Sequence, residues 1–268
     1  MNIKATVITV SYNSEKTIER TIKSVLDQTY DGLEYIIVDG ASTDNTVEII
    51  RKYEPLFNGR LRFISEPDKG MYNAMNKGIK MATGTIIGII NSDDWYEPDA
   101  IERIVKAYEE AGKINPDGET VDDAETGPLI LCAKTCVFND DKPVDMGSLD
   151  PEKLKSDGMA AHPSCFVTKD AYDILGGFDE RYKYVGDYDL MLRAYEDKRI
   201  RFIPVDAHTS NYVIGGASAS GKAYLELLSL QSRYGIISKK EYITDSFKAR
   251  LAALFIKLGL KPISLKKL

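Results

Sequence analysis

Residues 86–95 read Ile-Ile-Gly-Ile-Ile-Asn-Ser-Asp-Asp-Trp, and the fold turns on them. Ile86, Ile87, Ile89 and Ile90 make an apolar, β-branched run that is too short to span a membrane. It is the kind of run carried by a strand covered on both faces. Asn91 and Ser92 end it, so Asp93 and Asp94 stand at the strand's carboxyl end. In an open α/β sheet that edge is where ligands bind. Adjacent carboxylates repel each other unless a cation or a donor lies between them. Hard oxygen ligands suit Mg²⁺ or Mn²⁺, which in turn bind phosphates. A solvated Asp-Asp turn ahead of a helix starting near Pro98 would read the same way, so the rest of the chain has to discriminate.

Three similar units precede this stretch. Residues 5–12 predict a strand with Val7, Ile8 and Val10 apolar, breaking into Ser11-Tyr12-Asn13-Ser14, a turn able to cap a helix. Over residues 15–27, Ile18, Ile22, Val25 and Leu26 share one helical face. Residues 34–39 predict a second strand that ends in Asp39, followed by Gly40-Ala41-Ser42-Thr43-Asp44 and a helix to about Tyr53 with Val47 and Ile50 inward. Residues 61–66 predict a third strand, then Pro67-Asp68-Lys69-Gly70 and a helix over 71–82 with Met71, Ala74, Met75 and Gly78 on one stripe. A helix over 98–111 follows the Ile86 strand. Strand and helix alternating in this way predict a parallel sheet wound right-handed. Tyr12, Asp39, Asp68 and the pair Asp93-Asp94 should then gather on one rim.

The pattern changes after Ala111. Residues 112–127 read as a loop, 128–138 as a strand and half of a hairpin, and 162–167 as a further strand entry. A short helix over 169–175 stops at Gly176-Gly177. Gly186-Asp187-Tyr188-Asp189 opens a helix to about Asp197, residues 201–204 read as a last strand, and 207–221, rich in Gly and Ser, as a mobile loop. Helices are predicted over 222–234 and 241–260.

Bulk properties narrow the class. A 268-residue chain can bury a substantial core, and its net charge of -6 excludes a general nucleic-acid binder. Cys132, Cys136 and Cys165 have no metal-ligand spacing and read as buried thiols of a reducing compartment. The expected location is cytoplasmic, since the start carries no signal-peptide pattern and no segment is apolar over 18 residues. Residues 246–268 hold Lys248, Arg250, Lys257, Lys261, Lys266 and Lys267 and no acid. Within them Phe247, Leu251, Leu254, Phe255 and Leu258 form an apolar helical stripe. Such a helix can lie on the inner face of an anionic membrane, dock on the core or meet another subunit.

Six motifs, in this order, resemble family 2 inverting glycosyltransferases of the GT-A fold: Val7-Ile8-Thr9-Val10-Ser11-Tyr12-Asn13, Ile37-Val38-Asp39-Gly40-Ala41-Ser42-Thr43-Asp44, Glu66-Pro67-Asp68-Lys69-Gly70, Asn91-Ser92-Asp93-Asp94, Gly176-Gly177-Phe178-Asp179-Glu180 and Gly186-Asp187-Tyr188-Asp189-Leu190. The resemblance implies a Rossmann-like, mostly parallel sheet flanked by helices over residues 1–221. The nucleotide-sugar half would be 1–111, the acceptor half 112–221, and residues 222–268 a C-terminal helical extension. It implies a nucleotide-diphospho-sugar donor held by Val10, Tyr12, Asp39, Ser42, Asp68 and Asp93, a Mn²⁺ or Mg²⁺ cation on Asp94, and Asp187 as catalytic base. The acceptor would be a saccharide or lipid-linked saccharide, as in polysaccharide, O-antigen or other glycoconjugate synthesis.

Several of these residues also have plain structural readings. Asp39 can cap a turn, Ser42 and Asp44 can cap the second helix, and Asp68 can belong to an ordinary Pro-Asp-Lys-Gly turn. Asp189 stands four residues before Arg193 and reads as a helix ion pair. His162 reads as a strand-entry residue or a cleft wall, His208 as a further metal ligand or neither, and Trp95 as pocket wall or packing. Many family members carry an acid just before the base, where this chain has Gly186. Chemistry alone asks for the same parts: a cation for the leaving diphosphate, and a carboxylate on the opposite face of the sugar to take the hydroxyl proton. Two other classes fit less well: a catalytically inactive sugar-nucleotide binder, and a nucleotidyltransferase, which needs a Gly-rich basic loop that Ser11-Tyr12-Asn13-Ser14-Glu15 lacks.

Overall fold

The computed structural model describes residues 3–113, 127–139, 142–157, 162–215 and 220–257. The first part alternates as the periodicity predicts: β1 (Ala5–Ser11), α1 (Ile18–Leu26), β2 (Leu33–Asp39), α2 (Thr46–Tyr53), β3 (Leu61–Ser65), α3 (Met71–Met81), β4 (Ile86–Asn91), the short β5 (Trp95–Tyr96) and α4 (Ala100–Ala111). Next come β6 (Leu129–Asn139), β7 (Lys142–Ser148), the single turn α5 (Leu154–Asp157), β8 (Cys165–Thr168), α6 (Lys169–Leu175) and α7 (Gly186–Glu196). β9 (Arg201–Val213), α8 (Gly221–Arg233) and α9 (Lys239–Lys257) complete the described chain.

One curled sheet runs through both parts, in the order β3-β2-β1-β4-β8-β6-β9-β5, with β7 paired to β6. Strands β1 to β4 pair in parallel, β8 is antiparallel to β4 and β6, and β9 is parallel to β6. All seven residues of β1 and of β2 are buried, because helices cover both faces. One face packs Ile8, Val10, Ile36 and Val38 with Met75 of α3 and Leu190 of α7. The other packs Val7, Tyr35 and Ile37 with Ile22 of α1 and Ile104 of α4. Each of these isoleucines withdraws enough apolar surface to stabilise the fold by roughly 1.5–3 kcal/mol. Gly78 of α3 lets the helix lie close on β1, where an added Cβ would stand 2.5 Å from Ile8.

The strand over 128–138 and its hairpin partner are present, and Gly176 ends α6 at φ +72°. The three cysteines are free and buried. Residues 207–213, expected to be loop, are instead the second half of β9. Thr209, Ser210 and Asn211 are polar yet buried, which hid the strand. Their partners are distant in sequence: Ser210 Oγ donates to Thr135 Oγ1 (3.0 Å), and Asn211 Nδ2 donates to Glu97 (2.7 Å). Met71, placed on the inward stripe of α3, is partly exposed, whereas Ala74, Met75 and Gly78 are buried. The predicted loop over 112–127 falls mostly outside the described residues, as do 216–219 and the end of the last helix.

Candidate active site

The loops leaving β1, β2 and β3 meet as expected. Asp39, the last residue of β2, is fully buried. Its carboxylate accepts from Ser11 Oγ (3.0 Å), Ser42 N (2.9 Å), Ser65 Oγ (2.7 Å) and the Ser42 hydroxyl, so it ties three strand ends together. Asn13 and Ala41 both have positive φ, +50° and +61°, an uncommon conformation that clusters at ligand sites. They are held across the gap by Asn13 N donating to Ser42 Oγ (2.8 Å) and Thr43 N donating to Asn13 Oδ1 (2.9 Å). Asp68 and Tyr12 close over Gly40, where an added Cβ would stand 2.6 Å from Asp68 Oδ2 and 3.4 Å from the Tyr12 ring. Tyr12 is otherwise 64% exposed and free to stack on a ligand. Asp44, one residue before the cap position Asn45, accepts from Thr46 N, the first residue of α2 (3.0 Å), and from Glu15 N (3.1 Å).

The acid pair stands just past β4. Asp94 is fully buried and accepts from Val213 N and Asn91 Nδ2, both at 3.2 Å. Burial, and then the charge of Asp93, push its carboxyl up to about 8; burial raises Asp93 too, against the pull of Arg20. Asn91 Oδ1 is buried and has no hydrogen-bond partner. An orphaned oxygen beside two carboxylates is a donor set that suits a hard divalent cation. No cluster of three His, Cys, Asp or Glu side chains able to hold a metal occurs among the described residues, so substrate phosphates and water would have to complete the shell. His208 does not join the acids: its Nε2 lies 2.9 Å from Ser210 O and its Nδ1 4.0 Å from Glu97. Trp95 packs against Phe138 at 5.0 Å and under the Arg20 guanidinium, 3.7 Å from the ring centre, while Arg20 also donates to Asp93 O (2.6 Å).

Asp187 sits in the first turn of α7. Its Oδ1 accepts from Tyr72 Oη of α3 (3.2 Å) and from Tyr188 N (2.9 Å). The Tyr72 ring stacks on Phe178 at 5.3 Å and fills the space above Gly186, where a Cβ would come within 2.8 Å of it. The tyrosine thus occupies the room that a side chain before Asp187 would need. Asn76 receives Phe178 N (2.8 Å) and donates to Phe178 O (2.9 Å), and Asn73 donates to Glu180 (3.0 Å), so α3 grips the Gly177–Glu180 segment as well. His162 is buried, edge-on to Phe178 at 5.7 Å, and burial lowers its pKa against the pull of Asp187. Asp189 points the other way, pairing with Arg193 Nε (2.8 Å) and accepting from Tyr234 Oη (3.2 Å), which is a structural role. Beside Tyr72 opens a cleft of about 240 Å³ lined by residues 69–73, Glu180 and residues 182–184.

Residues 6–127 match the family described as Glycosyl transferase family 2. Over that stretch, a little under half of its length, the chain is similar to that family. The chain is 32% identical over 196 residues to a chondroitin synthase of Pasteurella multocida, a match covering 69% of this chain and 18% of that protein. It is 26% identical over 235 residues to a PGL/p-HBAD biosynthesis glycosyltransferase of Mycobacterium tuberculosis, covering 86% of each. In fold it is similar to Staphylococcus aureus TarS solved with UDP-GlcNAc (TM-score 0.66, 19% identity, 94% of this chain and 71% of that one). It is similar also to the mannosyltransferase PcManGT of Pyrobaculum calidifontis solved with GDP-Man and Mn²⁺ (TM-score 0.59, 19% identity, 89% and 66%). The fold is therefore of the GT-A type.

Four groups around these residues carry no local sign in the sequence: Tyr72, Arg20, the Val213 amide and Glu226. Each acts across 70 residues or more of chain or from a strand disguised by polarity, except Glu226, which reaches residues 183–185 from α8. Asn91 was in view as the end of a strand, but only its orphaned oxygen marks it as a donor.

Proposed function

We propose that this chain transfers a sugar, with inversion, from a nucleotide-diphosphate donor to a hydroxyl of a saccharide or lipid-linked saccharide, in polysaccharide, O-antigen or other glycoconjugate synthesis. The observation that carries the proposal is Asp187 itself: a half-exposed carboxylate in the first turn of α7, held by Tyr72, which lines an open cleft. Relatives named as glycosyltransferases and fold neighbours solved with UDP-GlcNAc or GDP-Man support the donor class.

In this reading the residues 1–111 half holds the donor and the 112–221 half presents the acceptor. Tyr12 covers the nucleoside, Val10 and Ser42 floor the pocket, Asp39 fixes its turns, and Asp68 and Asp93 face the ribose and phosphates. Asp94, with Asp93 and Asn91 Oδ1, would hold a divalent cation, Mn²⁺ or Mg²⁺, which neutralises charge on the departing diphosphate. Asp187 accepts the acceptor hydroxyl's proton as that oxygen bonds to the anomeric carbon and the carbon–phosphate oxygen bond breaks. Tyr72 orients the carboxylate for this by engaging its Oδ1.

The proposal extends to where the protein works. α9 presents Lys240, Ile243, Phe247, Arg250, Leu254 and Lys257 at alternating spacings of three and four, and all six are exposed. Cations interleaved with apolar side chains on one straight face suit the surface of an anionic membrane, where lipid-linked acceptors would lie. A second copy suits it less, since a like stripe would set lysine against lysine or arginine at both ends.

The test compares the full chain with Asp187→Asn and Asp94→Asn. Asp187→Asn should cut transfer by roughly 10²- to 10⁴-fold, the usual worth of a positioned base. Donor affinity by calorimetry should stay within about threefold, since the nucleotide groups lie elsewhere. Asp94→Asn should abolish the Mn²⁺-dependent part of donor binding. Full turnover by Asp187→Asn, or by Asp94→Asn in chelator, would end the respective assignment. Pyrophosphate release from a nucleoside triphosphate and a sugar phosphate would point to nucleotidyl transfer instead.

A further inference from the structure

Glu226 lies in α8, outside every motif that marks the family, and its half-buried carboxylate reaches back across forty residues of chain. It accepts the amide of Lys183 on both oxygens (2.9 and 3.1 Å), that of Tyr184 (2.6 Å) and that of Val185 (3.1 Å). These residues run directly into α7. Val185 is the residue before its first turn and has no side-chain cap of its own, Gly186 is its first residue and Asp187 its second. The Val185 amide, at the cap position, is the first of those that lack partners within the helix and stand at the positive end of its dipole, and the amides of Lys183 and Tyr184 lead into it. A carboxylate supplied by another helix satisfies both needs with charge-assisted hydrogen bonds. α8 grips the same segment twice more, through Arg233 Nη1 donating to Tyr182 Oη (3.0 Å) and Tyr234 Oη donating to Asp189 Oδ1 (3.2 Å).

We infer that Glu226 is a positioning residue for Asp187. Tyr72 of α3 holds the aspartate's side chain and Glu226 of α8 holds the three residues that lead into its helix, so α8 forms part of the frame that positions the base. The inference rests on Asp187 being the base proposed above. A carboxylate that must meet a hydroxyl proton tolerates little displacement: a shift of about 1 Å can cost on the order of 10²-fold in rate. Releasing three amides from one anchor frees the turn to move by that much, while the donor-binding loops of β1 to β4 are untouched.

The experiment compares wild type, Glu226→Ala, Glu226→Gln and Asp187→Asn as full-length chains, with kcat for transfer, donor affinity by calorimetry and melting temperature measured on each. Glu226→Ala should lower kcat by roughly 10- to 100-fold with donor affinity within about twofold. Glu226→Gln keeps one oxygen acceptor for the amides and should recover most of the loss. If Glu226→Ala does not fold, Glu226→Asp, one methylene too short to reach all three amides, gives the same comparison. A kcat near wild type in Glu226→Ala beside an inactive Asp187→Asn overturns the role of Glu226 and leaves the base standing. A kcat that falls only in step with donor affinity or melting temperature, unrescued by Gln, overturns it as well. Full transfer by Asp187→Asn overturns the base assignment and this inference with it.

Discussion

Gly186 shows how one residue's identity is set by a neighbour far along the chain. Its backbone is helical and could accept any side chain, yet the Tyr72 ring leaves no room for a Cβ. The ring cannot retreat without leaving Phe178 and its bond to Asp187. Gly186→Ala should therefore cost about 1–3 kcal/mol through overpacking, and it should also lower transfer by moving Tyr72 off the base. Thermal unfolding beside a turnover assay checks this. Unchanged stability and turnover in Gly186→Ala would mean that the ring is not held where it lies. At Asp94 the same scale of reasoning gives a pH dependence. Its carboxyl is raised to about 8 by burial and then by Asp93. A cation must replace that proton, so apparent Mn²⁺ affinity should climb as pH rises toward 8 and level off above it, which titration calorimetry at several pH values reads directly. Affinity flat from pH 6 to about 9 would count against Asp94 as the ligand.

Among the elements, β2 depends on a buried acid that has no part in the chemistry. Glu34 is 6% exposed and accepts from Thr6 Oγ1 (2.6 Å), Thr83 N (2.9 Å) and Thr83 Oγ1 (2.9 Å), with Lys4 at 3.3 Å and Arg62 at 2.8 Å. Burial works to raise its pKa, but the bonds from Thr6 and Thr83 and the charge of Lys4 outweigh it and bring the carboxyl down to about 2. A folded value below the unfolded one of about 4.3 means stability that is fully present above pH ~5 and lost as pH falls toward 2. Glu34→Gln should thus be less stable than wild type by about 1–3 kcal/mol near neutrality, with the gap closing in acid. Urea unfolding from pH 7 down to about 3 tests it; a gap constant across that range would show that the charge of Glu34 contributes nothing. Glu34 was legible in the sequence only as the first residue of a strand. Its partners come from β1 and from the turn after α3, and no local pattern announces them.

On the scale of the molecule, one sheet carries the parallel strands β1 to β4 at one end and β8, β6 and β9 beyond them. The outward stripe of α9 is the surface feature with the clearest consequence. Ile243 and Phe247 are each 66% exposed and Leu254 51%, a costly arrangement in water unless something covers them. The chain should co-sediment with vesicles of anionic lipid more than with neutral ones, each cation near the surface adding about 1 kcal/mol, and salt should weaken it. Ile243→Ser with Phe247→Ser should lose most of that binding. Equal sedimentation with both lipids, or binding indifferent to the two substitutions, would leave α9 for some other partner. The apolar stripe read from sequence differs: it took in Leu251 and Phe255, which are half-buried, and Leu258, outside the described residues.

The sequence by itself determined the alternation of strand and helix to Ala111, the edge on which Tyr12, Asp39, Asp68 and the acid pair lie, and the resemblance to the family. Those follow from periodicity and from turn chemistry, which act between residues a few places apart, and from motifs whose order is local information. Only the tertiary structure decided that 207–213 is a strand, because buried Thr209, Ser210 and Asn211 read as solvated until Thr135 and Glu97 are brought to them. It alone turned Asp39 inward on three serines, set Tyr72 over Gly186, and joined Glu226 to the turn before Asp187. Those contacts link residues 3 to 115 places apart through the packing of whole elements, and a hydrogen bond between such partners leaves no periodicity in the chain for a sequence to show.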